Sequence, residues 1–279
     1  MRKILLPTDF SENAENAIKY AIELYKNEEC EYYILNVFFV IGFATDNIMA
    51  PEIGEIAYKS AKETSEKGLK TTLNKLQKNN LSRHQFFTIS KFNSLLNSID
   101  EVVEEKKIDI IIMGTQGYTN ATDIIFGSNT VMIMEKERSC PVLAIPSEVN
   151  FTKPKEIVFP TSYNTHYKKP ELEHLIDIAT INKAAIRILH IENDNVQEQS
   201  ESINRLLLDE YFEGIEHSFH TLYNVEVEVA LDCFVQSRDS NMIAFINKKH
   251  GFIESIFSRH LVQKLGYKSK VPVLTMHDL

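Results

Sequence analysis

The feature that most constrains the fold of this sequence is an internal repeat, because short segments recur in both halves in the same order. Residues 155–162 (KEIVFPTS) match 2–9 (RKILLPTD), residues 188–191 match 34–37, and residues 272–276 match 141–145. Three matches in one order are better explained by tandem duplication than by chance, and repeats of this kind fix the architecture. We therefore predict two copies of one domain, at residues 1–147 and 154–279, joined by a short stretch without helical or strand periodicity.

Within each copy, apolar strand segments alternate with segments of helical periodicity. In the first copy we predict strands at residues 2–6, 32–39, 85–90, 108–113 and 141–146, separated by helices that include residues 51–76, 94–105 and 131–136. Such alternation is typical of a parallel sheet with helices on both faces. The predicted fold class is α/β, with two tandem, doubly wound, five-stranded parallel-sheet domains. Right-handed crossovers would place the ends of strands one and four on the same rim.

The first copy also contains a strand that leads into a glycine-rich loop and then a helix. Gly114 and Gly117 follow the strand, while Gly127 and Ser128 introduce the helix, for which Ser128 is the predicted N-cap. This layout binds phosphate, because unpaired N–H groups and the positive end of the helix dipole converge there. The spacing is neither that of the P-loop nor that of the dinucleotide-binding loop.

No Lys or Arg occurs from Ile110 to Met134. A phosphate at this loop would therefore be held by backbone N–H groups, by the hydroxyls of Ser128 and Thr130, and by a divalent cation. Asp9 lies just past the end of the first strand, on the rim where parallel sheets bind ligands, although it could equally be a turn or capping residue.

The full spacing, G-x2-G-x9-G-S, resembles the nucleotide-binding motif of the universal stress protein family. The resemblance implies a Rossmann-like, adenine nucleotide alpha hydrolase-like domain with strand order 3-2-1-4-5. Many members of the family bind ATP, and others do not. It therefore implies that this chain is a regulatory or stress-response protein that binds ATP or another adenine nucleotide, with Mg²⁺ as a candidate cation.

Carried over to this sequence, the resemblance implies a set of nucleotide-binding residues in the first copy. Those expected to face the adenine and ribose are Pro7, Thr8, Asp9 and Val37. Those expected to line the ribose and phosphates are Met113, Gly114, Gln116 and Gly117, and those expected to hold the phosphate tail are Gly127, Ser128, Asn129 and Thr130. Gln116 departs from the basic residue that is frequent at its position in the family.

The second copy differs at these positions. Ser162 replaces Asp9, Gly251 is the only glycine in the segment that matches the loop, and Ser258 stands in place of Gly127. Bulky side chains there would fill the space that a phosphate needs. We predict that residues 154–279 keep the fold with a degenerate motif, so that the chain binds one nucleotide, in its N-terminal domain.

Composition excludes several other classes of protein. The formal net charge of −9 disfavours non-specific binding to nucleic acid, and no apolar run approaches the roughly 20 residues of a membrane helix. The sequence begins a strand within three residues, so we expect no signal peptide. Three widely separated cysteines suggest neither a disulfide framework nor a zinc site, and a cytoplasmic location fits best.

His217 and His220, predicted to lie on a helix at 206–222, could bind a metal but more readily form its solvated face.

Two other functions remain open at this level. One is a slow ATPase or phosphotransferase, disfavoured because the motif lacks the cationic groups that stabilise phosphoryl transfer. The other is a nucleotide-independent interaction module with a protein partner that the sequence does not identify. In the strand order that the resemblance implies, the fifth strand of each copy is an edge, and here it is apolar. We therefore also predict that the two copies pair as a pseudo-dimer within one chain, the alternative being that each copy pairs with another chain. Any further homo-oligomer would then use other surfaces.

Overall fold

A computed structural model describes residues 1–39, 51–78, 83–115, 127–163, 166–192, 199–247 and 269–278, without the side chains at 51–54 and 199–201. The strands are β1 (Arg2–Pro7), β2 (Cys30–Phe38), β3 (His84–Phe92), β4 (Ile110–Gly114), β5 (Val142–Ile145), β6 (Glu156–Thr161), β7 (Ala185–Glu192), β8 (His217–Tyr223), β9 (Met242–Asn247) and β10 (Val273–His277). The helices are α1 (Glu12–Leu24), α2 (Pro51–Gln77), α3 (Leu95–Lys106), α4 (Ser128–Lys136), α5 (Glu173–Asn182), α6 (Gln199–Tyr211) and α7 (Val227–Arg238). A 3-10 turn at Lys169–Leu172 leads into α5.

The strands form one ten-stranded sheet in the order β3-β2-β1-β4-β5-β10-β9-β6-β7-β8. Each half of that order reads 3-2-1-4-5, and all pairs within a half are parallel. The two halves meet where β5 pairs antiparallel with β10, with Val273 opposite Ala144 and Thr275 opposite Val142. The predicted doubly wound fold and the predicted pairing of the two fifth strands are therefore confirmed.

Helices cover both faces of the sheet because strand residues alternate between the faces. In β1, Ile4 and Leu6 pack with α1 and α2, whereas Leu5 packs with α3 and α4. The same division places α5 and α6 on the first face and α7 on the second. The carboxyl ends of the strands form a rim, which is where the described residues of the predicted site lie.

The stretch between β5 and β6 contains neither a helix nor a strand. It packs along α1: the side-chain amide of Asn16 donates to the Val149 carbonyl at 2.8 Å, and the rings of Tyr20 and Phe151 lie 5.0 Å apart in an edge-to-face arrangement. Across the described parts of the chain, every helix is too short or too polar to span a bilayer.

Two sequence predictions are wrong. Ser128 is not the N-cap of α4 but its first residue, because Gly127 takes the extended backbone of the cap (φ −66°, ψ 154°). His217 and His220 do not share a helix face, because α6 ends at Tyr211 and both histidines lie on β8. Residues three apart on a strand face opposite sides of the sheet.

The separate contacts of the two histidines agree with this placement. The Nε2 atom of His217 lies 2.9 Å from an Asp209 carboxylate oxygen, whereas Nε2 of His220 lies 2.8 Å from the Ser218 hydroxyl. Among the residues that the structure describes, no group of three or more His, Cys, Asp or Glu side chains is arranged to hold a metal ion.

Candidate functional site

A cavity of about 600 Å³ opens at the carboxyl ends of β1, β2 and β4. Every predicted site residue that the structure describes lines it: Pro7, Thr8, Asp9, Val37, Met113, Gly114, Gly127, Ser128, Asn129 and Thr130. Gln116 and Gly117 lie outside the described residues. Parallel strands that end together have brought segments from three distant parts of the chain to one site.

The first wall of the cavity is the turn between β1 and α1. The Thr8 hydroxyl accepts a hydrogen bond from the Phe10 N–H at 3.0 Å, and the Asp9 carboxylate accepts one from the Ser11 N–H at 3.0 Å. These bonds support Phe10 in the left-handed region at φ 65°, which costs a residue with a side chain roughly 1–2 kcal/mol. The Asp9 side chain itself remains exposed and available to a ligand.

A residue that sequence reasoning missed fixes this turn from the neighbouring strand. Asn36 is buried near the end of β2, and its side-chain amide donates to the Thr8 carbonyl at 2.7 Å. The Thr8 N–H in turn donates to the Leu35 carbonyl at 2.8 Å. The signal in the sequence was a single amide within the apolar run of residues 34–37, since a buried polar side chain requires a specific partner.

The second wall is built from the two ends of the glycine-rich loop. The Thr130 hydroxyl donates to the Gly114 carbonyl at 2.8 Å, and the Gly127 N–H donates to the Thr115 carbonyl. The Thr130 N–H and the Val131 N–H both donate to the Gly127 carbonyl, at 3.1 and 3.2 Å. Thr130 therefore uses its hydroxyl proton to tie the loop ends together.

The N-terminus of α4 is the most evident anion-binding feature of the cavity. Its N-cap Gly127 provides no side-chain hydrogen bond, and Ser128 and Asn129 are exposed. The first N–H groups of a helix have no partner within the helix and carry its positive dipole end. A phosphate placed here would accept hydrogen bonds from backbone N–H groups and from the Ser128 hydroxyl.

Side chains of Lys and Arg are absent from the described lining of this cavity. A phosphate at the start of α4 would therefore meet the positive end of the helix dipole and no cationic side chain of the described lining. Arg and Lys groups are also what most phosphotransferases use to stabilise the transferring phosphoryl group. The described lining of the cavity lacks these groups.

The start of α3 is a third wall, which sequence reasoning also missed. Asn93, Ser94 and Leu95 line the cavity directly after β3. Ser94 caps the helix, accepting from the Asn97 N–H at 3.3 Å, and its own N–H donates to the Asn93 side chain at 2.8 Å. The helix was predicted to begin here, and its position after a parallel strand was the available signal that it reaches the rim.

Aromatic rings border the cavity beside Val37. Phe38 and Phe39 both line it, and the Phe39 ring stacks on Phe92 with 6.2 Å between centroids and 10° between planes. Phe39 remains 61% exposed, so one of its faces can still be covered by another flat group. Aromatic faces of this kind stack well on a planar heterocycle.

The second half reproduces the β1–α1 turn at the end of β6, but fills the space beside it. The Thr161 hydroxyl accepts a hydrogen bond from the Tyr163 N–H at 3.0 Å, and Tyr163 has φ 58°. Nδ1 of His190 lies 3.0 Å from the Thr161 carbonyl and so takes the place that the Asn36 amide has beside the Thr8 carbonyl. The Tyr163 ring then packs against His190 at 4.7 Å between centroids and is only 5% exposed. The segment that would match the glycine-rich loop, residues 248–260, lies outside the described residues.

Comparison with known proteins identifies relatives of the N-terminal half. A sequence model of the Universal stress protein family matches residues 1–146. Two universal stress proteins of Methanocaldococcus jannaschii, MJ0531 and MJ0577, are each 31% identical, over 144 and 154 residues. Each alignment covers 52% of this chain, and they cover 81% and 94% of the two relatives.

Solved structures also resemble the whole chain. A universal stress protein from Archaeoglobus fulgidus aligns over 98% of this chain and 95% of its own, with a TM-score of 0.72 and 17% sequence identity. At this identity the likeness shows the fold alone. It extends the similarity beyond residues 1–146, which the family model matches.

Proposed function

Because this chain belongs to the universal stress protein family, we propose that its N-terminal half binds an adenine nucleotide in the cavity at the ends of β1, β2 and β4. The observation that supports this most is that all the described motif residues converge on that one cavity. They do so beside the N-terminus of α4, whose N-cap Gly127 provides no side-chain hydrogen bond. In this proposal the phosphates lie at Gly127, Ser128 and Asn129, the ribose lies near Asp9, and the base lies along Val37 and the neighbouring phenylalanines.

A divalent cation, with Mg²⁺ as the candidate, forms part of the proposal because no basic side chain lines the described cavity. The cation would neutralise phosphate oxygens that the helix dipole leaves uncompensated. ATP affinity should therefore fall when the cation is removed with EDTA. Equal affinity with and without Mg²⁺ would exclude this part of the proposal.

We infer that the nucleotide acts as a regulator and is not a substrate that turns over. Occupancy would shift the conformation of the chain or alter which protein partner it recognises. A slow ATPase is the second candidate, and it differs by releasing phosphate from labelled ATP.

The three cysteines are free thiols, which fits the reducing cytoplasm we propose as the location.

The decisive experiment is isothermal titration with ATP, combined with mass spectrometry of any ligand released by denaturing the purified protein. We expect one nucleotide per chain. Asp9→Ala should weaken binding by about 1–3 kcal/mol if a hydrogen bond to a charged group is lost. Ser162→Ala changes the matching position of the second half and should leave affinity unchanged.

Gly127→Val tests the phosphate end of the site. Gly127 has extended backbone angles that Val adopts without strain, so the fold should survive while the branched side chain blocks the phosphates. A folded variant with unchanged ATP affinity would refute the site. Two comparable sites per chain would instead show that the second half binds nucleotide as well.

A further inference from the structure

A second cavity, which the proposed function does not use, lies between α1 and α2. Its volume is about 870 Å³, within the range of roughly 300–1,000 Å³ that is typical of small-molecule sites. Ile18, Ile22 and Leu76 form an apolar floor and are 2%, 7% and 7% exposed. Its lining runs from Glu15 to Glu23 of α1 and from Thr64 to Leu76 of α2, so the cavity is an apolar cleft that follows both helices and opens at the surface.

The turn between β1 and α1 separates this cleft from the nucleotide cavity. Thr8 lines both cavities, whereas Asp9 lines only the nucleotide cavity and Phe10 lines only the cleft. The Phe10 ring packs against Gly68 of α2 so closely that a Cβ at Gly68 would lie 2.4 Å from a ring carbon. A glycine at position 68 is therefore needed for the Phe10 ring to line the cleft in this position. The two cavities share Thr8 and are otherwise lined by different residues, so they are distinct.

The rim of the cleft carries more positive than negative charge, although the chain as a whole has a net charge of −9. Its three cations are Lys19, Lys67 and Lys75, and Glu15 is held by two of them, at 3.2 Å from Lys19 and 2.8 Å from Lys75. Glu23, the other rim carboxylate, lies 3.5 Å from Lys26.

Lys67 differs from the other rim lysines in having no carboxylate partner among the described residues. It lines the cleft on an exposed turn of α2. An ammonium group at the edge of an apolar cleft is suited to the charged end of an amphipathic anion, because the charge stays near water while the apolar part is buried.

We propose that the cleft between α1 and α2 binds an amphipathic carboxylate with a single acyl chain. The chain would lie on Ile18, Ile22 and Leu76, and the carboxylate would lie beside Lys67. The Lys75–Glu15 ion pair crosses the cleft, so Glu15 competes with the ligand carboxylate for the nearby lysines. Among the described residues, Phe10 is the one aromatic side chain that lines the cleft, so a flexible chain fits it better than a planar ring system.

The test is a calorimetric titration of the intact 279-residue chain with dodecanoate below its micelle concentration, with dodecanol as the uncharged comparison. Lys67→Glu should weaken dodecanoate binding by about fivefold or more, which corresponds to the upper range for an exposed ion pair. Lys70→Glu makes the same charge change three residues further along α2, at an exposed side chain that does not line the cleft, and it should leave affinity unchanged. Glu15→Gln should strengthen binding, because it frees Lys19 and Lys75.

Opposite effects of Lys67→Glu and Glu15→Gln, with saturation at one dodecanoate per chain, would establish the site. Circular dichroism and the urea midpoint of each variant show whether it is folded. The proposal is overturned if wild-type protein shows no saturable binding, if Lys67→Glu and Lys70→Glu bind equally, or if dodecanol binds as tightly as dodecanoate.

Discussion

Replacing Gly114 with alanine should destabilise the protein through one well-defined contact. A Cβ at this position would lie 2.9 Å from the backbone oxygen of Asn13 and 2.9 Å from its side-chain Cγ and Nδ2. Contacts below about 3.0 Å are not tolerated in packed interiors, and the backbone oxygen belongs to the first turn of α1, so the helix itself must shift.

Overpacking of this kind costs about 1–3 kcal/mol. We therefore expect the free energy of unfolding of Gly114→Ala, measured by urea denaturation, to fall by that amount. Asn13→Ala removes two of the three contacts but leaves the backbone oxygen. Gly114→Ala should consequently cost less, by at least about 0.5 kcal/mol, when introduced into Asn13→Ala than into the wild type.

Two results would refute this reasoning. One is a loss of less than about 0.5 kcal/mol in Gly114→Ala, which is the range of ordinary surface substitutions. The other is strict additivity with Asn13→Ala, because the Asn13 side chain would then contribute nothing to the cost, contrary to the two side-chain contacts. A lower ATP affinity with unchanged stability would indicate that the added methyl group obstructs the ligand and does not displace α1.

Two further predictions concern the dependence of stability on pH. Burial alone would raise the pKa of Glu156, but hydrogen bonds from Arg238 and Arg187 lower it to about 2. The ionised side chain therefore stabilises the fold by up to about 3 kcal/mol at pH values above its ordinary pKa. This stabilisation is lost as the pH falls towards 2. Urea denaturation at about pH 5 and about pH 3 should show a weaker pH dependence in Glu156→Gln, and an identical dependence would contradict the assignment. Burial and, to a smaller extent, the charge of Arg138 lower the pKa of His277 to about 4 in the folded protein. The unfolded chain therefore binds a proton at this histidine at a higher pH than the folded chain does. Stability consequently falls as the pH drops from about 6.5 towards 4. His277→Leu should remove that loss, and wild-type behaviour in the variant would show that another group is responsible.

The sequence by itself determined the repeated order of elements and the segments that form the first site. Strand and helix periods are local properties, and the recurrence of one pattern in two halves specified the tandem sheet before any contact was known. The predicted rim residues converge because parallel strands must end on a common edge. Even the pairing of β5 with β10 followed from the apolar character of two edge strands.

Local patterns were insufficient where a helix ends and where a loop closes. The helical period after residue 206 extended into β8, because the decisive break is Gly214, whose φ of 85° turns the chain within a pattern that is otherwise continuous. Likewise, the choice of Gly127 over Ser128 as N-cap depends on the loop being tied at both ends by the Thr115 and Thr130 bonds.

Only the tertiary structure revealed contacts between residues far apart in sequence. Asn36 supports Thr8 across two strands, Ser94 brings α3 to the rim, and Phe10 packs into space that Gly68 leaves open. The cleft beneath Lys67 exists because α1 and α2 each bury one stripe on the sheet and do not fill the gap between them. Such features depend on the relative placement of whole elements, and the periodicity of a single segment contains no information about its neighbour.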